Sequence, residues 1–165
     1  MKPVHLSLLV LAPLCAALSP ALLHPSRSHV STGWLDVRDF GATGDGVTDD
    51  TMAVGQAFAA VPPTGGTVFF PPGTYVIGAQ LAIPARTTVR GTSEGTSVIL
   101  RAPQTYSNLL TASNVADVSI VNLAVDGNHP SSSGSNIFLD ACTDVSIVSV
   151  TSTNTSGSGI RIAGP

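Results

Sequence analysis

The sequence predicts an all-β solenoid, and two internal repeats carry that prediction. The segment "DVSIVNLAV" beginning at Asp117 returns as "DVSIVSVTS" beginning at Asp144. The segment "GSNIFLDA" beginning at Gly134 returns loosely as "GSGIRIAG" beginning at Gly157. Short β-like segments that recur with a period in the twenties are typical of a solenoid with one coil per repeat. A leucine-rich repeat is disfavoured because no Leu spacing recurs.

Short apolar runs recur along the chain after residue 66, and Gly, Ser, Thr, Asn or Asp separate them. Such runs with turn residues between them predict strands. The predicted strands cover residues 67–70, 75–77, 81–83, 98–100, 109–110, 118–125, 137–139, 145–150 and 160–162. A weaker strand pattern covers residues 36–40. An aromatic content of only 5% fits a narrow interior lined by branched aliphatic side chains.

One helix is predicted, from Asp49 to Val61. Its apolar residues recur at helical spacing: Val54, Phe58 and Val61. Thr48 or Asp49 can cap the first free N–H groups, and the carboxylates of Asp49 and Asp50 lie favourably at the positive end of the helix dipole. Two prolines at positions 62 and 63 end the helix.

The N-terminal residues 1–17 are predicted to be a secretory signal peptide. Lys2 and His5 precede an apolar run from Leu6 to Leu18, and small residues (Cys15, Ala16 and Ala17) provide a cleavage site. The run is shorter than the roughly 20 residues that a membrane span needs. Residues 18–33 are predicted to be a leader or linker, and residues 34–165 are predicted to form the domain. The protein is therefore expected to be secreted, without membrane contact after cleavage; a buried or anchoring N-terminal helix is the alternative.

Composition excludes several classes of protein. Of the 165 residues, 10% are charged, the net charge is -3, and only seven are Lys or Arg, so a nucleic-acid partner is not expected. Cys142 stands alone once the signal peptide is removed, and no His or second Cys lies at metal-ligand spacing around it. Asn154 begins the glycosylation sequon Asn-Thr-Ser, which is usable if the host glycosylates exported proteins.

Three motifs then resemble a known family. They are "VRDFGATGDGVTDDTMAVGQAF", "GGTVFFPPGTYVIG" and "TTVRGTSEGTSVIL". In this order they resemble the N-terminal portion of the pectate-lyase superfamily, which includes rhamnogalacturonase-like, epimerase-like and polygalacturonase-related proteins and phage tailspikes. The resemblance implies a right-handed single-stranded parallel β-helix with an N-terminal capping α-helix. Because the sequence stops directly after the strand in "GIRIAGP", we expect the β-helix to be truncated at its C-terminus.

The resemblance also implies a structural role for the acidic stretch "VRDFGATGDGVTDDT". In such proteins this stretch leads into the helix that covers the open end of the solenoid, where strand edges would otherwise invite aggregation. Asp49 and Asp50 are therefore predicted to be structural helix-cap residues. The spacing of Asp45, Asp49 and Asp50 does not match an EF-hand loop. No cofactor is evident, and calcium remains open by family resemblance only.

No catalytic, cofactor-binding or metal-binding residue is assigned. The segment from Asp126 to His129 resembles an Asp-Gly turn of polygalacturonase-like proteins and is interpreted as structural. Position 156 is Ser where a hydrolase of this group would carry a carboxylate. Arg161 is interpreted as a solvated residue on an outward strand face. Asp117 and Asp144 occupy equivalent repeat positions, which favours a structural role over an acid pair.

The expected function follows from the resemblance. The chain is expected to be the N-terminal part of an exported protein that acts on a uronate-containing polysaccharide such as pectin, by lyase or glycoside-hydrolase chemistry. Alternatives are a non-catalytic β-helix module for polysaccharide binding or adhesion, similar to a tailspike, and an inactive truncated copy. The sequence does not fix the substrate, the reaction, a metal requirement or the oligomeric state.

Overall fold

The structure, a computed structural model, describes residues 34–93, 95–103, 107–129 and 134–164. Within these ranges the chain forms twelve strands, one 3-10 helix and one α-helix. The strands are β1 (Trp34–Asp36), β2 (Asp45–Asp49), β3 (Gly66–Phe70), β4 (Gly73–Ile77), β5 (Leu81–Ala82), β6 (Thr87–Gly91), β7 (Ser97–Arg101), β8 (Leu110–Ser113), β9 (Ala116–His129), β10 (Ile137–Asp140), β11 (Thr143–Thr155) and β12 (Ile160–Ala163). The 3-10 helix is Val37–Phe40, and α1 is Thr51–Ala59. The predicted signal peptide and leader lie outside the described residues.

The strands form three faces on which all neighbours are parallel. The first face contains β1, β3, β6 and the first halves of β9 and β11. The second contains β2, β4, β7 and the second halves of β9 and β11, and the third contains β5, β8, β10 and β12. Left-handed residues at Asn122 (φ 55°) and Ser149 (φ 51°) lie where the two long strands pass from the first face to the second. The predicted all-β solenoid is confirmed: the chain is a parallel β-helix of about four turns.

Aliphatic side chains from successive coils stack in register inside the β-helix. On the first face one stack contains Val68, Val89, Ile120 and Ile147. On the third face Leu81, Leu110, Ile137 and Ile160 form another. Val118 pairs with Val145 of the next coil, and Ile137 likewise pairs with Ile160. Both sequence repeats therefore correspond to successive coils, and their spacings are coil lengths.

Several element boundaries differ from the sequence-based expectation. The strand predicted at 36–40 is wrong beyond Asp36, because the Asp36 carboxylate accepts a hydrogen bond from the Arg38 N–H (2.9 Å) and opens the 3-10 helix. The helix begins at Thr51 and ends at Ala59 rather than covering 49–61. Strands β2 and β6 were not predicted. In β6 only Val89 is a buried aliphatic residue, and the inward partner at Thr87 is polar.

The helix α1 packs against the 3-10 helix and β5. Its inward side chains Val54, Ala57 and Phe58 join the same buried cluster as Val37 and Leu81. The role of α1 as the cap of the solenoid stays a prediction. No helix in the part of the chain that the structure describes is long and apolar enough to cross a membrane.

Candidate functional site

The buried carboxylate of Asp50 binds the residues of the loop that precedes strand β2. Asp50 occupies the N-cap position of α1, but its side chain makes no capping hydrogen bond. It instead accepts hydrogen bonds from the N–H groups of Thr43 (2.7 Å) and Gly44 (3.1 Å) and from the Thr43 hydroxyl. Asp50 therefore lies at the N-cap position, but its carboxylate binds donors from Thr43 and Gly44 rather than the N–H groups of the helix. Asp49 is the residue whose carboxylate accepts hydrogen bonds from the N–H and hydroxyl of Thr51 at the helix start.

The other carboxylates of this stretch also bind protein donors. Asp45 accepts hydrogen bonds from the N–H groups of Thr48 (2.8 Å) and Val47 (2.9 Å), which lower its pKa from 3.8 to about 2. The Thr51 hydroxyl and N–H likewise hold the pKa of Asp49 below its usual value. Three or more metal-ligating side chains do not come together anywhere in the described residues. The geometry of this stretch supports a structural role.

The Asp126–Gly127 segment, which was predicted to be a turn, lies within strand β9 and links two neighbouring coils. The Asp126 carboxylate accepts the Asn128 N–H (2.7 Å), and the Asn154 side-chain amide of the next coil donates to both of its oxygens (3.0 Å each). A Cβ at Gly127 would lie 2.3 Å from the Asn154 carbonyl oxygen, so only glycine fits there. The sequon amide at Asn154 thus bonds to a carboxylate; its glycosylation stays a prediction.

Asp117 and Asp144 occupy equivalent backbone positions on neighbouring coils. Both have left-handed backbones, with φ of 59° and 53°, at the start of β9 and β11. The Asp117 carboxylate lies 3.9 Å from the Arg86 Nε, so the two side chains form an ion pair. Asp and Asn tolerate this backbone conformation better than most residues, which explains the repeated Asp at the coil entrance.

A buried arginine and a buried asparagine occupy the interior where the second face meets the third. Arg101 is 1% exposed, and its guanidinium donates to the carbonyls of Ser107 and Ser135 and to the Asn136 amide oxygen. Its Nε has no hydrogen-bond partner among the described residues, and burial lowers the pKa of the group. Asn136 in turn donates to the carbonyls of Val125 and Thr153. Sequence reasoning missed this cluster, because Arg101 follows an ordinary apolar strand.

The outer surface of the third face carries an aromatic ring, a cation and an amide close together. Successive coils place Ala82, Thr111, Phe138 and Arg161 in one outward column. The Arg161 guanidinium carbon lies 5.3 Å from the centre of the Phe138 ring. The exposed Gln80 donates its amide to the Thr111 hydroxyl (3.1 Å) beside them. We call Gln80, Phe138, Asp140 and Arg161 the third-face strip.

Arg161 is therefore more than a solvated side chain. The ring restricts the guanidinium by a cation–π contact, while its N–H groups make no hydrogen bond or ion pair with another described residue. A planar guanidinium matches a carboxylate with two parallel hydrogen bonds. The strip offers one carboxylate of its own, at Asp140, whereas glycoside hydrolysis requires two. The arrangement can bind an anionic, partly apolar ligand but does not assemble a hydrolytic pair.

A family profile matches nearly the whole described domain. Residues 34–164 match the family described as rhamnogalacturonase A/epimerase, pectate lyase-like. The fold and these matched residues define a pectate-lyase-like parallel β-helix protein. The chain belongs to the rhamnogalacturonase A/epimerase, pectate lyase-like family.

The relatives of the chain include a protein named as a lyase and a protein named as a phage tail spike. Alginate lyase 7 of Azotobacter vinelandii is 33% identical over 113 residues, covering 60% of this chain and 13% of that protein. The tail spike protein of Shigella phage Sf6 is 31% identical over 103 residues, covering 58% of this chain and 16% of that protein. The chain thus spans less than a fifth of either relative.

A solved structure gives the same architecture. The A-module of the mannuronan C-5 epimerase AlgE6 of Azotobacter vinelandii superposes with a TM-score of 0.62 at 26% identity. The match covers 70% of this chain and 36% of that chain. The likeness supports the parallel β-helix architecture described above.

Proposed function

We propose that this chain is the N-terminal part of an exported protein that acts on a uronate-containing polysaccharide such as pectin, by lyase or glycoside-hydrolase chemistry. The observation that carries the proposal is the stacking of Arg161 on Phe138 at the outer surface of the third face. The ring gives a flat apolar surface to the C–H groups of a sugar. The guanidinium gives paired N–H donors to its carboxylate.

The position of this pair along the β-helix suits a polymer. Successive coils stack at β-sheet spacing, roughly 4.8 Å, so outward side chains in one column contact successive parts of an extended chain. Gln80, held by its hydrogen bond to Thr111, extends the strip beyond Phe138 towards the earlier coils. The named relatives include an alginate lyase, which supports an anionic polysaccharide as the ligand class.

A non-catalytic binding module is the second candidate. Among the described residues of the third-face strip, Asp140 is the one carboxylate, and no second acid or base lies beside it in register. The likeness to a tail spike protein is consistent with a binding or adhesive β-helix. An inactive truncated copy is the third candidate, which predicts neither binding nor turnover.

Binding should be measured first, with the full chain and oligogalacturonate. We expect saturable binding that is lost when the sugar carboxyl groups are reduced to alcohols. Arg161→Ala should weaken binding by about 10- to 100-fold, since a charge-assisted hydrogen bond contributes roughly 1.5–3 kcal/mol. Arg161→Lys keeps the charge but loses the planar guanidinium, so its affinity should lie between those of the native chain and of Arg161→Ala. Equal binding of the native and carboxyl-reduced sugars would contradict the proposal.

Turnover separates the enzyme from the binding module. Polygalacturonate should be incubated with the chain with and without added calcium, and both unsaturated uronate products and new reducing ends should be followed. Unsaturated products indicate a lyase, and reducing ends without them indicate a hydrolase. Binding without either product favours the non-catalytic module. Export is tested by N-terminal sequencing of secreted protein, which we expect to begin at residue 18.

A further inference from the structure

A second cluster of aromatic and cationic side chains lies on the outer surface of the first face. Trp34 is 48% exposed, and its ring centre lies 5.2 Å from that of Phe69 with a tilt of 51°. The Arg90 guanidinium carbon lies 5.5 Å from the centre of the indole. These residues come from β1, β3 and β6, so the parallel register alone brings them together.

A column of hydroxyl groups continues from this cluster along the β-helix. The strand register aligns Trp34 with Thr67, Thr88, Ser119 and Ser146 on successive coils. These side chains point outward, because the alternate residues Val68, Val89 and Ile120 are buried in the core. None of the four hydroxyl groups makes a side-chain hydrogen bond with another described residue. We call Trp34, Phe69, Arg90 and this hydroxyl column the first-face platform.

The charges on the platform favour an anionic ligand. Arg90 makes no hydrogen bond or ion pair with another described residue, so its N–H donors are open to a ligand while the indole restricts its movement. The nearest carboxylate in its column, Asp36, already accepts the Arg38 N–H. A guanidinium that is already positioned loses less freedom when it binds a carboxylate in bidentate fashion.

We propose that the first-face platform is a second binding surface for a chain of carboxylate-bearing sugars, separate from the third-face strip. The exposed indole stacks on a sugar ring, Arg90 pairs with a uronate carboxylate, and the hydroxyl column hydrogen-bonds to the sugars that follow. The choice of a uronate chain rests on the proposed function. A polyphosphate such as nucleic acid is disfavoured because the chain has a net charge of -3 and one cation on this surface.

With two binding surfaces on different faces, the affinity of the protein should depend on the length of the sugar chain. A short oligosaccharide occupies one surface at a time, whereas a long polymer can engage both within one molecule. The second contact is then intramolecular, and its effective concentration strengthens overall binding. A polymer carries more sugars than a trisaccharide, and this statistical factor alone tightens its apparent binding. We expect the affinity of the chain for a polymer to exceed its affinity for a trisaccharide by more than this factor.

The chain itself supplies a local reporter for the test. Trp34 is its single tryptophan, so intrinsic tryptophan fluorescence reports on the first-face platform and not on the third-face strip. Titrating the unmodified full chain with trigalacturonate should shift the fluorescence saturably, and carboxyl-reduced trigalacturonate should not. This readout needs no variant, so it avoids the risk that a substitution unfolds the chain. An unchanged fluorescence at concentrations where calorimetry shows binding would overturn the proposal.

Variants then assign the contact to residues. Arg90→Ala should weaken the fluorescence-detected binding about tenfold, and Arg90→Lys should weaken it less. Arg86→Ala is the matched control, since Arg86 lies at the start of the same coil but pairs with Asp117 outside the platform; its affinity should stay within about twofold of the native value. Arg90→Ala binding as tightly as Arg86→Ala, with both folded by circular dichroism, would overturn the proposal.

The experiments can reject the first-face platform and the third-face strip independently of each other. If Arg161→Ala abolishes all binding and the fluorescence never responds, the platform is wrong and the proposed function stands. If Arg90→Ala loses binding and Arg161→Ala does not, the platform stands and the third-face strip is wrong. If neither native surface binds the oligosaccharide, both proposals are overturned.

Discussion

The two copies of the repeat that begins "DVSIV" share that sequence but have different environments. In β9, Val118 and Ile120 are fully buried. In β11, the equivalent Val145 and Ile147 are only partly buried, and Val148 is 51% exposed. The difference lies in their neighbours. Strand β9 pairs with β6 and β7 on one side and with β11 on the other, whereas in the described residues β11 pairs with β9 alone.

The comparison shows that burial in a solenoid is a property of neighbouring coils rather than of one coil's sequence. Each coil contacts only the coils before and after it, so its stability is a sum of its own terms and of those interfaces. The same isoleucine therefore contributes differently in β9 and in β11. Substitutions at equivalent positions can test this directly.

The largest effect is expected from truncating the stacked isoleucines. Ile120→Ala should lower the free energy of unfolding by about 2–5 kcal/mol, because it leaves a cavity between two coils. Ile147→Ala should cost about 1 kcal/mol, because part of that side chain is already in contact with solvent. Urea denaturation followed by circular dichroism measures both. Equal losses of unfolding free energy for Ile120→Ala and Ile147→Ala would contradict the claim that neighbouring coils determine how much each isoleucine contributes.

A smaller effect is expected at the contact between β9 and β11. Gly127→Ala places a methyl group 2.3 Å from the Asn154 carbonyl oxygen, so the two strands must separate locally. We expect a loss of about 1–3 kcal/mol in the free energy of unfolding. Gly55→Ala is the control: no atom lies within 4 Å of the added Cβ, and alanine should stabilise α1 by about 1 kcal/mol. A neutral Gly127→Ala would argue against the close approach of these strands.

The smallest effect is expected at the carboxylate of Asp45, which is exposed on strand β2 rather than buried among the stacked aliphatic side chains. The folded pKa of Asp45, about 2, lies below its ordinary value of 3.8. A depressed acid pKa contributes stability that is present above the unfolded pKa and is lost as pH falls through the folded pKa. The melting temperature should therefore fall as pH drops from about 4 towards 2. Asp45→Asn should flatten part of this decline, and an unchanged profile would show that its hydrogen bonds do not form.

Features that repeat along the chain were predictable from the sequence. The spacings of the two repeats match the coil lengths, because stacked coils place equivalent aliphatic residues in the same column. Strand β6 escaped prediction because its inward position at Thr87 is polar and only pairing with β3 and β9 makes it a strand. Strand β2 likewise depends on its pairing with β4.

The candidate binding surfaces were not predictable from local patterns. Phe138 and Arg161 lie on successive coils, and Trp34 and Arg90 are further apart still in the sequence. Their contacts exist only once the register of the coils is known. The interior Arg101 was missed for a related reason: its partners lie in connections between strands, where the sequence gives no periodic signal.

Hydrogen exchange on the unmodified chain tests most directly whether neighbouring coils determine local stability. Amides of β9 and β11 should be compared by mass spectrometry at peptides covering residues 117–125 and 144–152. Because protection ranges from almost none in frayed segments to the global stability in the core, we expect β9 to exchange at the global unfolding rate and β11 to exchange much faster. Equal protection of the two segments would contradict the claim that the second neighbouring coil gives β9 its stability.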